Sequence, residues 1–503
     1  MKKLHLLPAF LLCLCLSVPA SAREAEYQDS ALSAEGFSSP QRLWDADRGT
    51  YAAAGDGAVV RVTRTGGIAS VYIEFDRLPQ PWTLESGGKS YPCGEDGFLH
   101  QFVDVSGLTG GAPEEVALRF PRGTVIADIY AFSAGDLPDW VQVWESPCKE
   151  ADLLLLSSHS DDEQLFFAGV LPYYALERGM DVQVAYLVQH FEANGQQDHR
   201  RPHEQLDGLW TVGVRHYPII PEFPDLYSES KDRAEALKRA KNVYQNAGYG
   251  YEDFVGYITT CIRRCRPLVV VSHDLSGEYG HGTHVLCADA LGTAVRSAAD
   301  PDQHPDSAGA YGTWQVEKTY LHLYEENPIT MDWDVPLESL GGKTAFQMTQ
   351  EGFRCHRSQH WTWFYKWIYG GDGAAITRAS QITRYSPCLY GLYDTQVGPD
   401  ETGGDFFEHV KPYAQRRAEA EEAARAEADR LAKEEASARA EAERIAREEA
   451  ERAEAERAAA EKAALAQYVT LAAGALGFAV LALLLSRWGR RKKTSQRKGR
   501  RQQ

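Results

Sequence analysis

Ser158-His159-Ser160-Asp161-Asp162-Glu163 and Gly277-Glu278-Tyr279-Gly280-His281-Gly282-Thr283-His284 gather the side chains best suited to chemistry in this chain. A divalent metal takes imidazole and carboxylate ligands and keeps one position for water. His159 and Asp162, three residues apart, can face one ion, and His284 supplies a third ligand. Asp161, adjacent but pointing elsewhere, is placed to take a proton from the water. His281, one helical turn before His284, is placed to polarise a substrate carbonyl or protonate a leaving amine. A metal that lowers the pKa of its water toward ~7 makes hydroxide available for attack on an amide, so the expected chemistry is metal-assisted hydrolysis. Each segment also has a plainer reading. Residues 160–163 fit a helix capping box with acids in the first turn, and residues 277–284 fit a Gly-rich turn opening a helix. Their position at equivalent ends of two predicted strands favours a site.

Those strands follow from hydrophobic patterning. Residues 153–158 form a short apolar run of the kind buried on both faces of a sheet. A helical stretch is expected to follow as far as Arg178, then strands at 182–188, 216–220 and 268–272. Helices are expected at 203–212, 231–246 and 251–264. Strands alternating with helices predict an α/β domain over 150–412, a Rossmann-like doubly wound, mostly parallel sheet. In open α/β sheets ligands bind outside the carboxyl ends of the strands, which would bring both loops into one crevice. Residues 315–412 are rich in Trp and Tyr and yield no clear elements.

The two motifs also carry a family resemblance. His159-Ser160-Asp161-Asp162-Glu163 is similar to the His-Pro-Asp-Asp-Glu loop of the PIG-L/LmbE family of zinc-dependent de-N-acetylases, and His281-Gly282-Thr283-His284 to its later His-x-x-His. Ser160 stands where the family has proline; proline is no ligand there, so the change bears on loop rigidity. The resemblance covers about residues 150–300. It implies zinc held by His159, Asp162 and His284, with Asp161 as general base. His281 and Tyr279 would stabilise the oxyanion or assist the leaving group. Arg201-Pro202-His203-Glu204, followed by Leu209 and Gly213, resembles the family's Arg-x-x-Glu segment and implies Arg201 and Glu204 as substrate-binding residues. His273-Asp274 reads either as support for the metal or as a strand-end turn. Residues 356–364, with three aromatic side chains, read either as the lining of a sugar site or as packing. His190 and His199 fall near the crevice rim without an assigned role.

Outside this domain the chain changes character. Residues 25–148 show short β-branched and aromatic runs at 58–65, 70–76, 115–120 and 125–132, which predict an all-β sandwich. With Trp44-Asp45-Ala46-Asp47, Val71-Tyr72-Ile73-Glu74-Phe75 and Ile126-Ala127-Asp128-Ile129-Tyr130, this segment resembles a discoidin-like, galactose-binding-like domain, implying either sugar binding or a packing role. Residues 1–22 read as a signal peptide, with Lys2 and Lys3, an apolar run and Ala20-Ser21-Ala22. Residues 413–467 are almost entirely Ala, Glu and Arg. Acid-first pairs such as Glu421–Arg425, Asp429–Lys433 and Glu443–Arg447 predict one charged helix, a stalk of roughly 80 Å. Only Leu431 and Ile445 could seam a coiled coil, which leaves self-association open.

Residues 468–486 carry no charge, and a helix of that length spans about 28 Å, enough for a transmembrane segment. The basic tail 487–503 that follows is expected on the cytoplasmic side, which puts the other domains outside. The net charge of −18 argues against nucleic acid as a partner. Of nine cysteines, Cys13 and Cys15 fall in the leader; the remaining odd number does not make a disulfide framework, although a Cys355–Cys388 bridge is conceivable. The expected function is removal of the N-acetyl group from an N-acetylated sugar or surface glycan. A glycan-binding protein with an inactive head, or a metal-dependent amidase on a non-sugar substrate, are the alternatives.

Overall fold

A strand without a polar residue until its last position has no face to offer water, and all of Leu153–Ser157 is buried. In the computed structural model this strand has Val182–Tyr186 on one side and Val269–Ser272 on the other, both parallel to it. Lys318–His322 extends the parallel set beside Val269–Ser272. Leu389–Thr395 and then Pro328–Thr330 complete the six-stranded sheet in antiparallel orientation. Alternate residues of one strand serve different cores. Leu153 and Leu155 pack with Phe166, Leu206, Leu209 and Phe353. Leu154 and Leu156 pack with Ile258, Ile262, Leu286 and Leu291. Each buried leucine contributes roughly 1.5–3 kcal/mol, so this strand fixes the centre of the domain. The helices Arg200–Thr211, Arg233–Asn246, Tyr251–Cys265, Gly282–Ala299 and Ala345–Cys355 supply the covering faces.

The structure describes residues 24–189, 192–193, 196–197, 200–371 and 373–498. The expected leader, His190 and His199, and the end of the basic tail lie outside the described residues. The chain divides into one unit through Gln415 and another from Arg416.

Several expectations need correction. Residues 216–220 make only isolated bridges, Glu145 with His216 and Ala185 with Ile219, because Pro218 and Pro221 remove the donors a strand needs. The stretch from Ser160 toward Arg178 is a run of tight turns closed by the widened turn Pro172–Glu177. Asp161 at φ 121° and Gly169 at φ 93° break the helical path there. All seven cysteines of the described residues are free, including Cys355 and Cys388. Cys355 sits beside Thr211, with the two side chains 3.7 Å apart, whereas the Cys388 carbonyl oxygen accepts from the Met331 N–H just before the last strand.

The N-terminal part is an antiparallel sheet of eight strands between Ala31 and Phe132. The long strand Ala52–Thr63 joins its two halves, pairing with Val125–Phe132 through Ala52 and Ala53 and with Glu115–Arg119 through Val59 to Thr63. A partly buried polar network ties this sheet to the helix Arg200–Thr211. Arg48 pairs with Glu74 of the sheet and with Asp207 of the helix. The Gln142 side-chain amide donates to Asp207 (2.6 Å) and its oxygen accepts from His100 Nδ1 (2.7 Å). Burial pushes His100 well below its ordinary range, so its other nitrogen accepts from His203 Nδ1 at 2.6 Å. The sheet therefore holds the helix that carries Arg201 and Glu204.

From Arg416 the second unit continues the helix Tyr413–Lys498. Its ion pairs join Arg430 to Glu427 and Glu434, Arg439 to Glu443, and Arg444 to Glu441 and Glu448. In these pairs the arginines reach the acid four residues after them or three before, rather than an acid four before. The helix contains a window of mean hydropathy 2.3 and is long and apolar enough to cross a membrane by length and composition.

Candidate active site

The carboxyl ends of Leu153–Ser157 and Val269–Ser272 bring the two motif loops together. His159 Nδ1 lies 3.1 Å from Asp162 Oδ2 and 3.1 Å from His284 Nε2, and His284 Nε2 lies 3.3 Å from Asp162 Oδ2. Donors about 2.0–2.2 Å from a tetrahedral zinc stand roughly 3.3 Å from one another, so this triangle has the spacing such an ion requires. Three side chains from two distant segments thus converge, all buried.

The tautomers suit the same purpose. His284 Nδ1 sits 2.7 Å from Glu278 Oε2 and donates to it, which leaves the Nε2 lone pair facing Asp162 and His159. His273 could form a competing set with Asp162 and His284. Its Nε2, however, accepts from the Ser158 N–H at 2.8 Å, and its Nδ1 donates to Glu278 Oε2 at 2.8 Å. Both nitrogens are used, and His273 acts as a brace rather than a ligand. Glu278 Oε1 meets His322 Nδ1 at 2.6 Å. One buried carboxylate therefore orients three imidazoles. Burial alone would raise the Glu278 carboxyl, yet His273, His284 and His322 hold it well below the usual range.

Carboxylates of Asp162, Asp225 and Glu278 surround the imidazoles of the cluster. Burial would lower His159, but Asp225, with an oxygen 3.3 Å from Nε2, and Asp162 carry it up to about 10. Carboxylates that force a proton onto a buried imidazole form a setting into which a cation fits.

Asp161 and Tyr279 stand on strained backbone, at φ 121° and φ 50°. Left-handed or stranger backbone at a non-glycine residue is costly and concentrates at functional sites. Burial raises the Asp161 carboxyl to about 7, although Arg201 opposes the rise. Arg201 donates to the Ser160 carbonyl oxygen at 3.2 Å, beside Asp161. Burial, then Asp162 and Asp161, keep the Tyr279 hydroxyl well above its ordinary pKa and hence protonated. The Tyr279 ring lies 5.5 Å from both His281 and His284. Burial, followed by His159 and His284, pushes His281 well below its ordinary range, and its Nδ1 is buried without a partner. Glu204 faces elsewhere: it accepts from the Ser358 backbone N–H at 2.9 Å and from the Ser358 hydroxyl at 2.5 Å.

Two glycines make this loop arrangement possible. Gly280 has φ 80°, and a Cβ there would run into the Ser230 carbonyl oxygen; a Cβ on Gly282 would meet Ser228. Ser230 N–H donates to Gly280 O at 3.0 Å and Gly282 N–H to Ser228 O at 2.7 Å. These bonds clamp the segment carrying Asp225 and Tyr227 against His281.

Asp225, His322 and the role of Glu278 are not evident from the sequence. His322 ends a strand at the same sheet edge, so locating Lys318–His322 would have exposed it. Asp225 sits in a loop directly after Pro224, with no periodicity to signal it.

Fold and site together define an α/β protein with a histidine–carboxylate centre at the carboxyl ends of parallel strands. Residues 154–295 match the family described as PIG-L: GlcNAc-PI de-N-acetylase. A 1D-myo-inositol 2-acetamido-2-deoxy-alpha-D-glucopyranoside deacetylase of Geodermatophilus obscurus is 27% identical over 187 residues, 33% of this chain and 60% of that one. A relative of the same description from Frankia casuarinae is 44% identical over 76 residues, 14% of this chain and 24% of its own length. The chain thus spans between a quarter and three fifths of these curated relatives. The N,N'-diacetylchitobiose deacetylase of Pyrococcus horikoshii is 16% identical, with a TM-score of 0.33 over 48% of this chain and 84% of that one.

Proposed function

We propose that this protein is a metal-dependent hydrolase that removes the N-acetyl group from an N-acetylated sugar, in keeping with its PIG-L-family segment. The observation that carries this is the donor triangle of His159, Asp162 and His284, with Asp161 beside it. Zinc or another divalent ion held by those three residues would supply Lewis-acid polarisation and an acidified water.

The chain's own residues do the rest. Asp161, raised toward neutrality, takes a proton from the attacking water. The Tyr279 hydroxyl and neutral His281 donate hydrogen bonds to the carbonyl oxygen as negative charge gathers there. The carbon–nitrogen bond breaks, the water oxygen leaves in acetate, and Asp161 returns its proton to the amine. Arg201, next to Asp161, lines the approach for substrate, and Glu204 holds the turn at Ser358 against it.

In this reading the catalytic sheet is Rossmann-like, and the N-terminal sheet is a discoidin-like sandwich that packs against it. The chain is exported, anchored by residues 468–486 with its basic tail in the cytoplasm, and its substrate is a glycan outside the membrane. The test is acetate release from N-acetylglucosamine, chitooligosaccharides and peptidoglycan fragments by the full-length protein. Release abolished in Asp161→Asn supports the reading; no release from any of them defeats it.

A further inference from the structure

Large aromatic rings in water are an unusual expense unless something covers them, and two stand at the candidate site. Tyr227 is 64% exposed, with its ring 5.2 Å from that of His281. Trp363 is 45% exposed, with its ring 5.8 Å from that of Tyr279. Each is therefore one ring removed from a residue that faces the scissile bond. Neither is free to collapse. The Tyr227 hydroxyl is held by Glu229 at 2.6 Å, and Glu229 in turn bridges to the His281 backbone. Trp363 opens the helix Trp363–Tyr369 and packs against Phe364 at 4.2 Å. Trp361, two residues earlier, is 84% exposed.

We infer that Tyr227 and Trp363 form sugar-stacking subsites that flank the N-acetylated residue, so the preferred substrate is an oligosaccharide. A pyranose ring presents a face of C–H groups, partly positive, to the negative face of an aromatic ring, and its equatorial hydroxyls remain free to bond outward. The His281 imidazole and the Tyr279 ring, 5.5 Å apart, link the two, and the Glu229 carboxylate holds the Tyr227 hydroxyl. The surface alternates apolar faces with hydrogen-bonding groups, a pattern that suits a sugar chain and not an acyl chain. Residue 363 lies outside the segment matched to the family, so this half of the cleft belongs to this chain's own C-terminal part.

The inference rests on the deacetylase reading, and the two fail separately. Acetate release and binding by calorimetry would be measured for N-acetylglucosamine and for its dimer to tetramer, using the full-length protein. The expected result is kcat/KM rising with chain length, with the tetramer-to-monomer ratio falling about tenfold in Tyr227→Ala and in Trp363→Ala. Tyr227→Phe, which keeps the ring and loses the hydroxyl, should retain most of the ratio. A ratio near one in the wild type, or one unchanged in both alanine variants, overturns the subsites while leaving the deacetylase intact. If no probe is turned over, tetramer binding decides: affinity lost about tenfold in the alanine variants upholds the subsites, and no wild-type binding overturns them.

Discussion

Glu278→Gln offers a sharp test of how the site is held. The wild-type carboxylate accepts from His273 and His284 through Oε2, at 2.8 and 2.7 Å, and from His322 through Oε1, at 2.6 Å. Asp274 N–H adds a weaker contact to Oε1 at 3.3 Å. Glutamine keeps the shape but replaces one oxygen by an NH2 group. If the amide nitrogen takes the Oε2 position it confronts two imidazole N–H donors; in the Oε1 position it confronts His322 and the Asp274 N–H. The first orientation sets buried donors against one another. The second lets His322 accept through Nδ1, with its proton on Nε2 against the Ser386 carbonyl, but still removes the charge that the imidazoles share, a loss of about 1–3 kcal/mol. When such a partner no longer orients a ligating histidine, metal affinity drops about 10–100-fold, or roughly 1.4–2.8 kcal/mol. Titration of bound zinc against a competing chelator reads this directly, and a melting curve shows that the chain remains folded. A folded Glu278→Gln protein with zinc affinity within a factor of two of wild type would refute the orienting role.

Other expectations follow from particular residues. Because burial raises Asp161 to about 7, its basic form declines as pH falls, and kcat/KM should drop about tenfold per pH unit well below 7. In Asp161→Asn that acid limb should vanish and the rate fall about 10²–10⁴-fold; a pH profile that keeps its limb would exclude Asp161 as the base. Gly280→Ala puts a Cβ against the Ser230 carbonyl at positive φ, and a loss of about 1–3 kcal/mol is expected in denaturant unfolding, with activity lost alongside. Unfolding midpoints equal to wild type would show that the clamp is slack. For the anchor, full-length protein should stay with membranes through alkaline carbonate washing, and deletion of residues 468–486 should release it; release of both forms would remove the membrane assignment.

The parts of this protein that could be read from the sequence are those governed by strong local rules. The run of leucines at 153–156 announces a strand buried on both faces, and the site loops lie at the ends of that strand and of Val269–Ser272. Strands such as Trp82–Ser86, Lys89–Cys93 and His100–Asp104 escape notice because each is five residues long and mixes polar with apolar side chains. Lys318–His322 escapes because lysine, threonine and histidine are buried there only through tertiary partners: Lys318 pairs with Asp400 and His322 with Glu278. The same cause hides part of the site. His159, Asp162 and His284 stand in recognisable spacings, whereas Asp225 and His322 matter only once folding brings them near. Conversely, 216–220 looks like a strand by composition, and its prolines decide otherwise.

Metal content of the full-length protein, purified in detergent, tests the central claim most directly. Wild type should carry about one zinc or equivalent divalent ion per chain, and Asp162→Ala and His284→Ala should each lose it while remaining folded. A wild-type chain that binds no metal and shows no affinity for added zinc would contradict the hydrolase reading.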